Sequence, residues 1–269
     1  MIPRWHSLGE MIARYLHRFD ERSKRVVAGL RPFLDRALPW WITGWLCFSL
    51  LKVVRSPSPI YTFVDFAAAF LPYTLIALAP TVALRLAERA FPAGEDRWAP
   101  RRRIALAGRW RPLDRADARR HPLFGPTGIM ASLLVGLLLN VVLRSGEFLL
   151  AMPAMSAMAP DWARTLFLVM AFENMAMNFL YIVCFVMALR AVPMFPRMLV
   201  LTWLMDIGLQ LTSAHVVHTQ PALPPDVAQA MLALLQGNVT KVLVSVFIWL
   251  PYLLVSERVN VTYRSRVST

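Results

Sequence analysis

Six long apolar stretches, separated by loops in which basic charge is concentrated on every second connection, restrict this chain to a polytopic membrane fold. The stretches run over residues 38–54, 60–85, 127–144, 163–188, 198–214 and 240–256. Each is close to the ~17 to 25 residues that a helix needs to cross the hydrocarbon layer. Charged residues make up 17% of the chain, and they avoid these runs, whereas a soluble domain of this size would disperse them. The expectation is an all-α, polytopic integral membrane bundle of about six transmembrane helices.

Arginine and lysine set the threading. Residues 1–36 hold eight basic and four acidic side chains, and residues 86–126 hold ten and five. The 189–197 connection carries Arg190 and Arg197 without an acid, and the tail carries Arg258, Arg264 and Arg266 against Glu257. The segments between, 145–162 and 215–239, hold Glu147, Asp161 and Asp226 and neither Arg nor Lys. Six crossings with both termini cytoplasmic satisfy these counts. The net charge of +13 is then mostly a topology signal. The Arg runs flank spans and suit anionic lipid headgroups, so no nucleic-acid partner is expected. The first stretch, 38–54, is only just long enough to span, and Lys52 inside it must reach an interface. As a surface helix it would move the N-terminus outward, against its eight basic residues.

Four regions follow. Residues 1–37 form a basic amphipathic segment, with Leu8, Met11, Ile12, Tyr15, Leu16 and Phe19 at helical spacing. It is suited to lie in the membrane plane or to pack on a partner or on the protein's own cytoplasmic face. No cleavable leader is expected, because the first apolar run starts only near residue 38. Residues 38–85 are a pair of spans. Residues 86–123 are an Arg- and Pro-rich linker with too few periodic apolar residues for a packed domain, and its Trp98 and Trp110 suit the headgroup level. Residues 124–266 form a four-span unit.

Polar residues inside the spans are the main internal clue to chemistry, since charge at bilayer depth is costly and usually faces protein or water. Glu173 shares a narrow helical arc with Asn174, Asn178 and Tyr181, and Asp206 shares a second stripe with Gln210 and Ser213. If the stripes face one another, two readings are open. One is a protonatable carboxylate pair, raised by low dielectric and mutual repulsion, lining a path for a proton or small cation. The other is a set of interhelical hydrogen bonds that fix packing. Asp65, near the start of the second stretch, is expected to be hydrated at an interface.

Other constellations are sparse. His215 and His218 stand three apart, with Asp226 as a conceivable third ligand, but they lack the pattern of a zinc hydrolase, so they are weak metal candidates. Cys47 and Cys184 both lie in spans and suggest neither a disulfide framework nor a thiol site. Without a phosphate-binding glycine loop, dinucleotide fingerprint or nucleophile elbow, no catalytic residues and no cofactor are assigned.

The segment from Phe247 to Arg266 resembles the closing signature of the DUF2569 family of small, mostly bacterial membrane proteins. Trp249, Pro251, Tyr252, Ser256, Arg258, Val259, Thr262 and Tyr263 stand at the matching positions. Phe172-Glu173 and Phe195-Pro196-Arg197 look like two further family steps, in the same order. The resemblance covers about residues 124–266. It departs where the family favours Gly-Gly-Trp-Leu, since here Gly128 is followed by Met130, Ala131 and Ser132. It implies a multi-pass protein of the bacterial inner membrane and transfers no activity. The expected function is an accessory or assembly subunit of a membrane complex, with a membrane-protein partner or a second copy and anionic lipids as its contacts. The alternative is a small transporter, coupled to protons or cations through its intramembrane carboxylates.

Overall fold

The structure is a computed structural model that describes residues 4–92 and 109–269, with side chains from residue 18 onward. Helix α1 (Arg4–Val54) is continuous, followed by α2 (Phe63–Ala90), a short strand β1 (Trp110–Pro112) and α3 (Arg115–Arg120). The remaining elements are α4 (Ile129–Ala151), α5 (Asp161–Leu189), α6 (Phe195–Thr219), α7 (Pro225–Val255), α8 (Glu257–Arg264) and β2 (Arg266–Ser268). Among the described residues, α1, α2, α4, α5, α6 and α7 are long and apolar enough to cross a membrane. The chain is therefore an all-α membrane bundle, and six crossings bring both termini to one side, the terminal face.

The expected stretch 38–54 is the final third of α1, which at 51 residues is about 76 Å long. Helix α1 is held to α2 by its indoles. Trp41 and Trp45 donate to the carbonyls of Ala77 and Tyr73 at 3.1 and 2.8 Å, giving their N–H groups partners at a depth where water is scarce. Helix α5 is the hub, packed by α2, α4 and α6, with α7 laid along α6. The N-terminal pair and the later four helices therefore share one interior.

That interior has three layers. Toward the terminal face, Leu30, Leu134, Phe185, Phe195 and Tyr263 belong to one buried apolar cluster. Toward the opposite face, Trp45, Tyr73, Phe148 and Phe167 belong to another. Arg144, Ser145, Glu173, Asn174, Asn178, Asp206 and Gln210 are all buried, and in α4, α5 and α6 all but Asn178, which lies at the edge of the first cluster, fall between the residues of those two clusters.

Helix boundaries differ from expectation at informative places. Helix α4 continues to Ala151, so Arg144 and Glu147 lie inside a span and not at its end or beyond it. Helix α7 starts at Pro225, well before residue 240, because Ala228–Leu235 already supplies helix-forming apolar residues. The alternation of Val259, Val261 and Tyr263, which suits an extended tail, is instead helical in α8. Asn260 and Thr262 between them are buried as well, so no single face is selected as it would be in a strand. Ser265, at φ 47°, ends α8 in the left-handed region, and β2 follows, antiparallel to β1.

Several tail-signature residues close the terminal face from within. Arg258 donates to Asp20 at 2.8 Å and to Thr127, tying the tail to α1 and to the start of α4. Gly128, with φ +65°, donates its N–H to Ser23 at 2.7 Å, and a Cβ there would stand 3.4 Å from the Arg258 guanidinium. Thr262 accepts from the Gly125 N–H at 3.0 Å. Trp249 and Tyr252 meet edge to face at 6.0 Å in the last turns of α7, where Pro251 also sits. Ser256 breaks between α7 and α8, its carbonyl accepting from Asn260. Trp110 lies under the Arg266 guanidinium, 5.0 Å from the ring centre. Trp98 and the side chains of Leu8, Met11, Ile12, Tyr15 and Leu16 lie outside the described residues.

Candidate functional site

Helical periodicity dictates what the polar layer brings together. On α5, Glu173, Asn174, Asn178 and Tyr181 are spaced one, four and three residues apart and share one side. On α6, Asp206, Gln210 and Ser213 do the same. Both sides turn inward, and the structure places Arg144 of α4 between them. Its Nη1 donates to Glu173 Oε1 at 2.5 Å, and its Nη2 donates to Asp206 Oδ1 and Oδ2 at 2.8 and 2.7 Å. The two carboxylates are bridged by a guanidinium, which replaces the mutual repulsion expected of a bare pair.

A second ring of donors completes the arrangement. Gln210 Nε2 donates to Glu173 Oε1 at 2.6 Å, and Tyr181 Oη donates to Asp206 Oδ2 at 2.7 Å. Asn174 Nδ2 donates to the Arg144 carbonyl at 2.9 Å, and Asn178 Nδ2 donates to Ser145 Oγ and Asn174 Oδ1 at 2.8 and 2.9 Å. Three helices are thereby locked in register through groups that hydrocarbon cannot solvate.

Two features are not those of a closed structural network. One guanidinium faces two carboxylates, leaving one negative charge in excess when all three are ionised. Two buried atoms of the layer, Asn178 Oδ1 and Gln210 Oε1, have no hydrogen-bond partner among the described residues, and both are acceptors. Arg144 and Gln210 both donate to the same Glu173 oxygen, so Oε2 has no donor among the described residues. Glu173 also lines a void of about 20 Å³ with Arg144, Glu147, Asn174 and Asn238. What the layer lacks is a donor and a positive charge.

Arg144, Ser145 and the ion pair between Glu147 and Lys241, which joins α4 to α7, were not among the residues singled out from sequence. Charge balance is the signal that finds Arg144: two carboxylates on neighbouring spans call for a cation on a third. Asp65, expected at a hydrated interface, instead caps α2. It accepts from the Thr62 N–H at 3.0 Å while the Thr62 hydroxyl accepts from its own N–H, a capping box. His215 and His218 are exposed on the last turns of α6, and among the described residues no three His, Cys, Asp or Glu side chains group as metal ligands. Cys47 is exposed, and Cys184 is buried against the Thr202 hydroxyl at 3.2 Å.

No curated protein and no solved structure matches the chain. A family model does, the one described as protein of unknown function DUF2569, over residues 127–264, which takes in α4 to α8 and with them Arg144, Glu173 and Asp206. With half of its length covered by that match, the chain belongs to the DUF2569 family of membrane proteins.

Proposed function

We propose that the protein is a small proton- or cation-coupled membrane transporter, with the polar layer as its ion site and both termini in the cytoplasm of a bacterial cell. The observation that carries this reading is the excess negative charge of Arg144, Glu173 and Asp206, buried at mid-bundle where an uncompensated charge is costly. A proton on Glu173, or a small cation beside it, cancels the excess. Gln210 is suited to follow such a change, since its amide donates Nε2 to an ionised Glu173 and, reversed, accepts at Oε1 from a protonated one. The Glu173–Gln210 pair then has two hydrogen-bonded states that differ by one positive charge.

Infrared difference spectra of the reconstituted protein, taken as pH is stepped, test the proton form directly. A protonated-carboxyl band that vanishes in Glu173→Gln or in Asp206→Asn is expected. A band that survives in both variants places the proton elsewhere and overturns the reading. In vesicles loaded with a pH-sensitive dye, gradient-driven proton movement is expected for the wild type and not for Glu173→Gln.

The orientation rests on the positive-inside pattern and on the crowding of arginines at the terminal face. Burial, with Arg266 and Arg197 close by, pushes the Arg264 guanidinium down to about 10, which still leaves it charged at neutral pH beside anionic headgroups. A membrane-impermeant maleimide is expected to label Ser268→Cys, in a background with Cys47 and Cys184 replaced by Ala, in inverted vesicles and not in intact cells. The opposite pattern refutes the orientation. The accessory-subunit reading draws on the outer face of α7, where Leu243, Val244, Phe247 and Ile248 are exposed. Lipid covers such a face as well as a partner does, so it ranks second.

A further inference from the structure

Helix α7 packs along α6 and stands off from α4, leaving a cleft of about 250 Å³ between α4 and α7. The cleft is mostly apolar, walled by Leu137, Leu139, Val242 and Trp249, and at Gly136 its wall is bare backbone. Its polar lining includes Asn140, Lys241 and Ser245, and it shares Arg144, Glu147 and Asn238 with the 20 Å³ void beside Glu173. The apolar trough thus shares a wall with a water-sized chamber whose carboxylates are Glu147 and Glu173 and whose other walls include Phe148, Met152, Met170 and Leu234. Outside the chamber, Lys241 already holds an alkylammonium group on Glu147, which shows what that carboxylate accepts at this depth.

We propose that the α4–α7 cleft is a lateral binding site for a small hydrophobic ammonium ion admitted from the bilayer, with its nitrogen in the chamber on Glu173 Oε2 and its apolar body along Leu137, Val242 and Trp249. This deepens the proposed function and rests on it, since the ligand supplies the positive charge and the donor that the layer lacks. Charge selects the class of ligand. Arg144 is the like charge facing the chamber, and it is already held by Glu173 and Asp206, while Lys241 is held by Glu147. Over these five groups one negative charge remains, so a carboxylate ligand is repelled and a neutral one leaves the excess unchanged.

The test is thermal unfolding of the full chain in a fixed detergent, titrated with hexylammonium, hexanol and hexanoate. A ligand that binds the folded state raises the transition saturably. Saturable stabilisation by hexylammonium alone is expected. Gly136→Leu, which meets no atom within 4 Å at its Cβ and therefore fills the trough without displacing a neighbour at that atom, is expected to abolish it. Glu173→Gln is expected to weaken hexylammonium about tenfold or more. Equal stabilisation by hexanol, or an effect indifferent to both substitutions, overturns the proposal. Should Gly136→Leu fail to fold, the matched wild-type series still decides. The two readings fail separately. Absence of the carboxyl band with selective hexylammonium binding removes proton coupling and keeps the site. The band without selectivity among the three probes removes the site alone.

Discussion

Arg144→Met is expected to be the most damaging single substitution in the bundle, lowering stability by about 3–5 kcal/mol, the cost of leaving buried charge without its partner. The methionine fills much of the same space, so the loss is electrostatic: Glu173 and Asp206 then face each other with only Gln210 and Tyr181 as donors. Folded yield after size exclusion and the midpoint of thermal unfolding measure it. The triple variant Arg144→Met, Glu173→Gln, Asp206→Asn removes all three charges and is expected to recover most of the folded yield while losing the carboxyl band. A single variant as stable as the wild type shows that the carboxylates hold no negative charge for Arg144 to neutralise.

Tyr263→Ala comes next, with an expected loss of about 3–5 kcal/mol for a large buried aromatic. Its ring is 1% exposed, lies 5.0 Å from that of Phe195, and its hydroxyl donates to the Ala188 carbonyl at 2.9 Å. One side chain therefore pins α8 to the ends of α5 and α6. Tyr263→Phe keeps the ring and gives up the hydrogen bond, at about 1 kcal/mol. Limited proteolysis of the tail separates the two, with rapid cleavage after the alanine change and near-native resistance after the phenylalanine change. Equal resistance in both shows that the tail docks without the ring.

The number of spans was legible because hydropathy acts over windows of about twenty residues and needs no tertiary knowledge. Glu173 and Asp206 were legible for a related reason, since carboxylates in apolar runs stand out and the helical period gathers their polar neighbours into stripes. Arg144 was not. An arginine after sixteen mostly apolar residues reads as the end of a span, and only the Phe148-Leu149-Leu150-Ala151 run beyond it shows that the helix goes on. The same reading put Glu147 in a loop, although it is paired with Lys241 of α7. The docking of α2 on α5 was hidden for another reason: hydropathy marks which helices enter a membrane and says nothing of which neighbours they choose, where packing between small and aromatic side chains decides. In the tail, alternation over five residues was too short a pattern to tell a strand from a helix buried on every side.

The three-layered interior also bears on biosynthesis. Helix α4 emerges from the ribosome carrying Arg144 before α5 and α6 have supplied Glu173 and Asp206. For that interval the guanidinium has no acid to meet, and a lone arginine at bilayer depth favours leaving the hydrocarbon for an interface or a protein-lined channel. Lateral release of α4 into lipid is thus tied to the arrival of two later helices. The charge that bridges Glu173 and Asp206 in the finished bundle thus disfavours release of α4 on its own.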